Sequence, residues 1–333
     1  MKEILEKLTQ TFGPSGYESR IRETIREMAT PYADEIHTDA MGNLIVRKGT
    51  KSENGKRVMI AAHMDEIGLM VTHINEKGFA YVTAVGGVNP LTCFSGRVLF
   101  ENGTEGVLYA EMNKMEKVPT MAQLFVDTGA TCKEDCPVSV GDICVFVRPF
   151  VELRGRWCSK ALDNRIGCVL AIETLKNIQD SPNELIFVFT VQEEVGLRGA
   201  KTSAYSVDPD LGIALDVTPA SDVPYGIDGN QILGNGPCIK ARDNSLIGHP
   251  LVNEALRAAA KRAGVPYQME VLRAAGTDAG AIHLSRSGVP TSAVSVPCRY
   301  VHSPSEMIEA RDCENAVKLL TEFLSGEIKG FEF

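Results

Sequence analysis

Apolar positions along this chain follow two different periods, and the switches between them outline the fold. Near the start, Ile4, Leu5, Leu8 and Phe12 recur every three to four residues. That spacing predicts an amphipathic helix over 2–12, which Gly13-Pro14-Ser15-Gly16 ends. Ser15 with Glu18 three residues on predicts a capping box for a second helix through Met28. Two strands are expected near 43–47 and 58–62. From about 66 to 157 short β-type runs alternate with Gly, Asn and Pro turns, at 71–72, 79–83, 97–100, 106–109 and 143–147. One short helical stretch, near 121–125, interrupts them. Beyond Asp163 helix and strand alternate: helix 166–177, strands 185–191 and 211–215, helix 251–263, strand 267–272, helix 279–286, strand 291–296, and a last helix 311–324. Fully apolar strands alternating with helices predict an α/β fold whose mainly parallel sheet is covered by helices on both faces. The expected organisation is a discontinuous domain of residues 1–66 and 158–333, with a small β-rich domain, 67–157, inserted in it.

Composition narrows the function without naming it. The 333 residues are 44% hydrophobic and 23% charged, ordinary for a globular protein. A net charge of −9 and the lack of a basic stripe argue against a nucleic-acid partner. The longest clean apolar run, Leu185 to Phe189, is far too short to span a bilayer. Acids at Glu3 and Glu6 interrupt what would be the apolar part of a secretory signal. Nine scattered cysteines read as reduced thiols, which points to the cytoplasm. Cys132 and Cys136 form a close pair, but no second pair or nearby His makes them a metal site.

The chemistry lies at the ends of the apolar runs. His63 follows 58–62, Glu193 and Glu194 follow 185–191, Asp216 follows 211–215, and His302 follows 291–296 by a short loop. Open α/β sheets build their sites at the carboxyl ends of strands. Any one of these residues alone reads as a turn or cap residue. Five ligand types from distant segments at one sheet edge, counting Asp163, are harder to explain that way. Two His, two Asp and one Glu suffice to hold two zinc-like ions around a shared carboxylate. Asp65, two residues after His63, is placed to orient that imidazole. Asp163 precedes an apolar helix whose N-terminus favours an anion; a simple N-cap is the competing explanation. Glu193 and Glu194 should point opposite ways in an extended chain, so one would ligate a metal and the other face the substrate water. His37, His73, His249 and His283 lack such contexts and read as structural.

These motifs carry a family resemblance. His63-Met64-Asp65-Glu66-Ile67-Gly68, Lys160-Ala161-Leu162-Asp163-Asn164-Arg165, Gln192-Glu193-Glu194-Val195-Gly196, Asp216-Val217-Thr218 and Arg299-Tyr300-Val301-His302-Ser303-Pro304-Ser305-Glu306 resemble the tetrahedral (TET) aminopeptidases. These form metallopeptidase family forty-two, which includes glutamyl and deblocking aminopeptidases. Gly13-Pro14-Ser15-Gly16 and Val85-Gly86-Gly87-Val88 are similar to that family too. The resemblance implies an aminopeptidase acting on short peptides with two divalent ions per chain, zinc first, with cobalt or manganese possible. It implies one ion on His63, Asp216 and bridging Asp163, and the other on Glu194, His302 and the same Asp163. Glu193 would be the general base and Asp65 the acid that orients His63. The insertion would be PDZ-like, and the chain would assemble through dimers into a tetrahedral dodecamer. Asn164, often Asp in relatives, and Ala275-Gly276-Thr277-Asp278, a Gly-Gly version in relatives, are departures that bear on substrate preference. Arg242 is a candidate for favouring an acidic side chain, although an arginine in a loop is more often a structural ion-pair partner.

Three rival functions are open at this point. A glycoside hydrolase needs two carboxylates facing each other about 5 to 10 Å apart. Adjacent Glu193 and Glu194 do not suggest that, and one Trp is few for a sugar-stacking cleft. A binding module would be expected to have lost a ligand or the base, and none is missing here. A metal-dependent deacylase could share the scaffold and differ only in its pocket.

Overall fold

The computed structural model describes residues 1–111, 118–224, 226 and 229–330. Helices α1 (Lys2–Gln10) and α2 (Ser19–Ala29) lead into strands β1 (Glu35–Thr38), β2 (Leu44–Lys48) and β3 (Arg57–His63). The chain continues through β4 (Gly68–Ile74), β5 (Ala80–Val85), α3 (Pro90–Cys93), β6 (Gly96–Phe100), β7 (Glu105–Ala110), β8 (Leu124–Asp127) and β9 (Ile143–Val147). Next come β10 (Val151–Leu153), β11 (Arg156–Ser159), α4 (Leu162–Asn177), β12 (Glu184–Thr190), α5 (Arg198–Val207), β13 (Leu211–Pro219) and β14 (Cys238–Arg242). The last elements are α6 (Pro250–Ala263), β15 (Gln268–Val271), α7 (Ala279–Ile282), β16 (Thr291–Arg299), β17 (Glu306–Glu309) and α8 (Ala310–Ser325).

The main sheet runs β1-β2-β12-β3-β13-β16-β17-β11-β10, with β14 and β15 attached at β16. Its centre is parallel: β12, β3, β13 and β16 pair side by side in one direction. Its flanks are antiparallel except for β14 and β15, which pair parallel. The sheet is therefore mixed, not mainly parallel. Antiparallel neighbours need only short turns, as between β10 and β11, whereas the parallel centre requires crossovers. Arg154 (φ 54°) and Gly155 (φ 84°) form that β10–β11 turn, in the left-handed region a two-residue hairpin demands.

Side-chain alternation along the central strands covers both faces. Val58, Ile60 and Ala62 of β3 join a large core with Ile166, Val169 and Leu170 of α4. Met59 and Ala61, pointing the other way, pack with Ala200 and Ala204 of α5 and Ile282 of α7.

Between β3 and β10 the chain leaves the sheet and closes a separate barrel, β4-β5-β8-β7-β6-β9. This barrel has its own core, including Leu69, Val82, Phe100, Leu108, Val126 and Phe146. The helix expected near 121–125 is a single tight turn at Met121–Gln123; Leu124 and Val126 then point inward from β8, which joins β5 to β7. The capping box expected at Ser15 does not form. The helix starts at Ser19, and Ser15 and Glu18 are engaged elsewhere. All nine cysteines are free thiols. Among the described residues no helix is long and apolar enough to cross a membrane.

Candidate metal centre

The parallel register brings the ligand candidates to one edge. His63 is the last residue of β3, level with Thr190 at the end of β12. Asp216 lies in β13, and His302 follows β16 by three residues. Asp163 sits where α4 begins but is not helical (ψ 107°), and it does not cap that helix. The capping bond comes from Asn164, whose Oδ1 accepts from the Gly167 N–H at 3.0 Å while its Nδ2 donates to the Leu215 carbonyl at 2.7 Å. An aspartate at 164 could only accept, so the amide suits this surrounding.

Each oxygen of Asp163 faces a different imidazole. Oδ1 lies 3.1 Å from His63 Nε2, and Oδ2 lies 3.3 Å from His302 Nε2. Asp216 Oδ1 is 3.8 Å from His63 Nε2, and Glu194 Oε2 is 3.2 Å from His302 Nε2. Glu193 Oε2 is 3.9 Å from His63 Nε2. Two groups are close enough to share a cation among the described residues: His63, Asp163 and Glu194, and His63, Glu193 and Asp216. The approach of each Asp163 oxygen to its own imidazole favours a division with Asp163 common to both halves.

The two adjacent acids do not diverge as strand alternation predicts. β12 ends at Thr190, and Gln192 takes a left-handed φ of 54°, so the chain is no longer extended at 193–194. Both carboxylates face one cavity. What separates them is the imidazole each approaches. Asp65 shapes this turn: it accepts from the backbone N–H groups of Glu193 (3.0 Å) and Glu194 (3.2 Å) and from the Ser15 hydroxyl. His63 Nδ1 lies 3.1 Å from the Asp65 carbonyl and 3.5 Å from its carboxylate. Asp65 thus holds both acids as well as the imidazole. Glu18 adds to this by accepting from the Gly16 and Gln192 N–H groups.

Four more buried charged residues, Glu306, Lys160, Arg165 and Glu66, brace the site, and spacing alone did not single them out. Glu306 accepts from the Asp163 N–H and the His302 N–H, both at 2.9 Å, and so ties the two sides of the shared carboxylate together. Lys160 and Arg165, flanking Asp163, converge on the Glu66 carboxylate at 2.6 and 3.3 Å. Arg165 also donates to the carbonyls of Leu8, Thr11 and Gly13, which fixes α4 against the end of α1. These residues stood inside the quoted motifs, but only folding brings their partners together.

Charge balance supports a cation here. Two buried carboxylates, Asp163 and Asp216, and two half-buried ones, Glu193 and Glu194, face two imidazoles. Burial, with the Asp163 carboxylate beside it, pushes the Asp216 carboxyl well above its usual range, against the opposing pull of His63 and Lys240. Burial and the neighbouring Asp216 do the same to Glu193, against the opposing pull of His63. Burial would lower the His63 imidazole, but Glu193, Asp163 and Asp65 outweigh it and raise it well above normal. Acids that hold protons and imidazoles that gain them mark a cluster short of positive charge. Imidazole and carboxylate donors in a buried cleft fit divalent cations.

The cavity around these groups measures about 630 Å³. Gly87, just past β5, lines it and lies against His302 so closely that a Cβ there would collide with the ring. The barrel segment thus supplies part of the site wall. Of the histidines set aside, His37 and His73 are near Glu35 and Tyr81, and His283 near its own helix carbonyl at Ala279. None of these, nor His249, lines the cavity among the described residues. Arg242 is exposed and does not line it either.

Residues 42–319 match the family described as M42 glutamyl aminopeptidase. A candidate aminopeptidase of Acetivibrio thermocellus is 47% identical over 97% of this chain and 98% of its own length. The solved structure of aminopeptidase APDkam598 from the archaeon Desulfurococcus kamchatkensis superposes with a TM-score of 0.93 at 39% identity, covering 98% of this chain and 97% of that one. The TET1 peptidase of Pyrococcus horikoshii, described as assembling into a tetrahedron or a large octahedral shell, gives 0.85 at 35% identity over 97% of this chain and 98% of its own. With the ligand geometry above, these likenesses lead to one conclusion: the chain belongs to the M42 aminopeptidase family and is a metal-dependent peptidase.

Proposed function

We propose that the protein removes N-terminal residues from short peptides with two divalent cations held around Asp163. The observation that carries this reading is the shared carboxylate, each of whose oxygens faces its own imidazole, 3.1 and 3.3 Å away. His63, Asp163 and Asp216 would hold one cation, and Glu194, His302 and the same Asp163 the other. Zinc fits this donor set first, and cobalt or manganese are accepted by the same ligands. Bound there, divalent cations supply polarisation of the scissile carbonyl and acidify the attacking water. Glu193 takes the water's proton and passes it to the departing amine. Asp65 keeps Glu193 and Glu194 in place through their backbone N–H groups. Purified protein should contain two divalent ions per chain and cleave aminoacyl anilides, and a strong chelator should abolish cleavage. Active protein holding fewer than one ion per chain by elemental analysis would sink the proposal.

A deacylase on the same scaffold would share the ions and differ in the pocket. The glycosidase alternative is disfavoured because Glu193 and Glu194 face one cavity beside two imidazoles rather than each other across a cleft.

The division into a catalytic domain, 1–66 and 158–333, and an inserted assembly domain, 67–157, is part of the proposal. It is supported by the barrel's separate core. We equate the barrel with the family's PDZ-like insertion and assign it dimer formation on the way to a tetrahedral dodecamer. Light scattering at micromolar concentration should give a particle of about twelve subunits; a stable monomer would refute it. The free thiols fit a cytoplasmic location.

The Gly87 contact yields a narrower test. Gly87→Ala should displace His302, lower occupancy of the cation it shares with Glu194, and cost about a hundredfold in kcat/KM, the order expected for an ångström-scale misplacement. Metal analysis beside kinetics checks it; unchanged values in both would show that the glycine is not needed.

A further inference from the structure

We infer that the side chain this enzyme selects at the peptide N-terminus is uncharged, an inference that rests on the aminopeptidase reading above. The cavity wall away from the ligands is formed by Leu197, Val217, Pro219 and Val301, with Asn244 and Ser245 as its polar members. Among the described residues that line the cavity, every ionisable side chain belongs to the proposed ligand and base set.

The charges on the strand and turn that lead to Asn244 are paired or exposed. Lys240 is 1% exposed and pairs with Glu270 at 2.5 Å and Asp243 at 3.3 Å. Asp243 is buried and folds the next turn onto itself, with Oδ1 accepting from the Ser245 N–H, the Ser245 hydroxyl and the Leu246 N–H. The Ser245 hydroxyl is therefore committed to Asp243. Asn244 sits on the rim, and its N–H donates to the Ala275 carbonyl at 3.1 Å, joining the two loops that bound the wall. Arg242 points to solvent beyond this turn.

The ligand set leaves no charge over either. Four carboxylates formally balance two divalent cations. A glutamate or lysine side chain entering the cavity would lose its hydration and meet no counter-charge, whereas an aliphatic or small polar side chain loses little. The glutamyl preference in the family description is thus not expected of this chain.

The test uses the full-length, metal-loaded protein and five anilides: leucyl, methionyl, alanyl, glutamyl and lysyl. The best neutral substrate should exceed the glutamyl and lysyl ones by at least about tenfold in kcat/KM, as expected when a pocket leaves a polar group unpaired. Titration calorimetry should show L-leucine binding more tightly than L-glutamate or L-lysine, a readout independent of turnover. Asn244→Asp should raise the lysyl-to-leucyl ratio, and Asn244→Arg the glutamyl-to-leucyl ratio, each about tenfold by adding the missing counter-charge. A glutamyl or lysyl anilide that equals or beats every neutral one in the unmodified protein overturns the inference and leaves the peptidase reading standing. Cleavage of none of the five overturns both.

Discussion

Glu193→Gln is expected to lower kcat by about a hundred- to ten-thousand-fold, the usual worth of a positioned general base. Both cations should stay bound. The effect should fall on kcat more than on KM, because proton transfer occurs in the transition state. The amide keeps the size and the turn, since Asp65 holds the backbone N–H and not the side chain. Glu194→Gln should behave differently: its carboxylate lies 3.2 Å from His302 Nε2, and an uncharged amide oxygen is a poorer ligand. That variant should lose the cation shared with His302. Elemental analysis paired with steady-state kinetics separates the two. Both carboxylates face one cavity and Glu193 is 3.9 Å from His63 Nε2, so metal content is the readout that decides between them. If Glu193→Gln strips metal while Glu194→Gln keeps both ions, the roles are exchanged.

Asp163→Asn is expected to cost both cation sites at once. Asparagine offers one oxygen and replaces the other with an N–H₂ donor, which cannot ligate. One imidazole would then face a donor where it now faces an acceptor. Metal content should fall below one ion per chain, and activity should fall to the level of the chelated protein. Substituting a ligand of only one site, as in Asp216→Asn, should leave about one ion per chain. Equal metal content in wild type and Asp163→Asn would remove the shared carboxylate from the mechanism. Far-ultraviolet circular dichroism guards against a trivial cause, because the Asp163 backbone N–H is bonded to Glu306 and should hold the segment in place.

Much of the site was legible because its chemistry lies at strand ends. His63 and Asp216 stand at or near the ends of runs whose apolar character announced buried central strands, and Glu193, Glu194 and His302 come just after such runs. The parallel centre of the sheet was legible for the same reason. The flanking strands β1, β10, β11, β14 and β17 and the helix α5 were not. The strands are three to five residues long, too short for either period to stand out. In α5 small residues, Gly199, Ala200, Ser203 and Ala204, form the buried stripe, and a stripe without large apolar side chains carries a weak signal.

The sequence by itself determined which residue types stand at the strand ends, that a β-rich segment interrupts the α/β pattern, and that the motifs belong to a family of metal-dependent aminopeptidases. These depend on local order along the chain. Tertiary structure decided the rest. The capping-box signature at Ser15 and Glu18 was locally sound, yet Ser15 bonds Asp65 and Glu18 bonds Gln192, because buried acceptors and donors from distant segments compete for those groups. Alternation predicted diverging acids at 193 and 194, but a left-handed residue at Gln192 turned both into one cavity, a backbone choice that periodicity does not encode. Gly87 reached His302 and Glu306 bridged Asp163 to His302 only once the barrel and the sheet were folded around them. Side-chain identity sets what a residue can do, but which partner it meets is set by contacts between segments far apart in the chain.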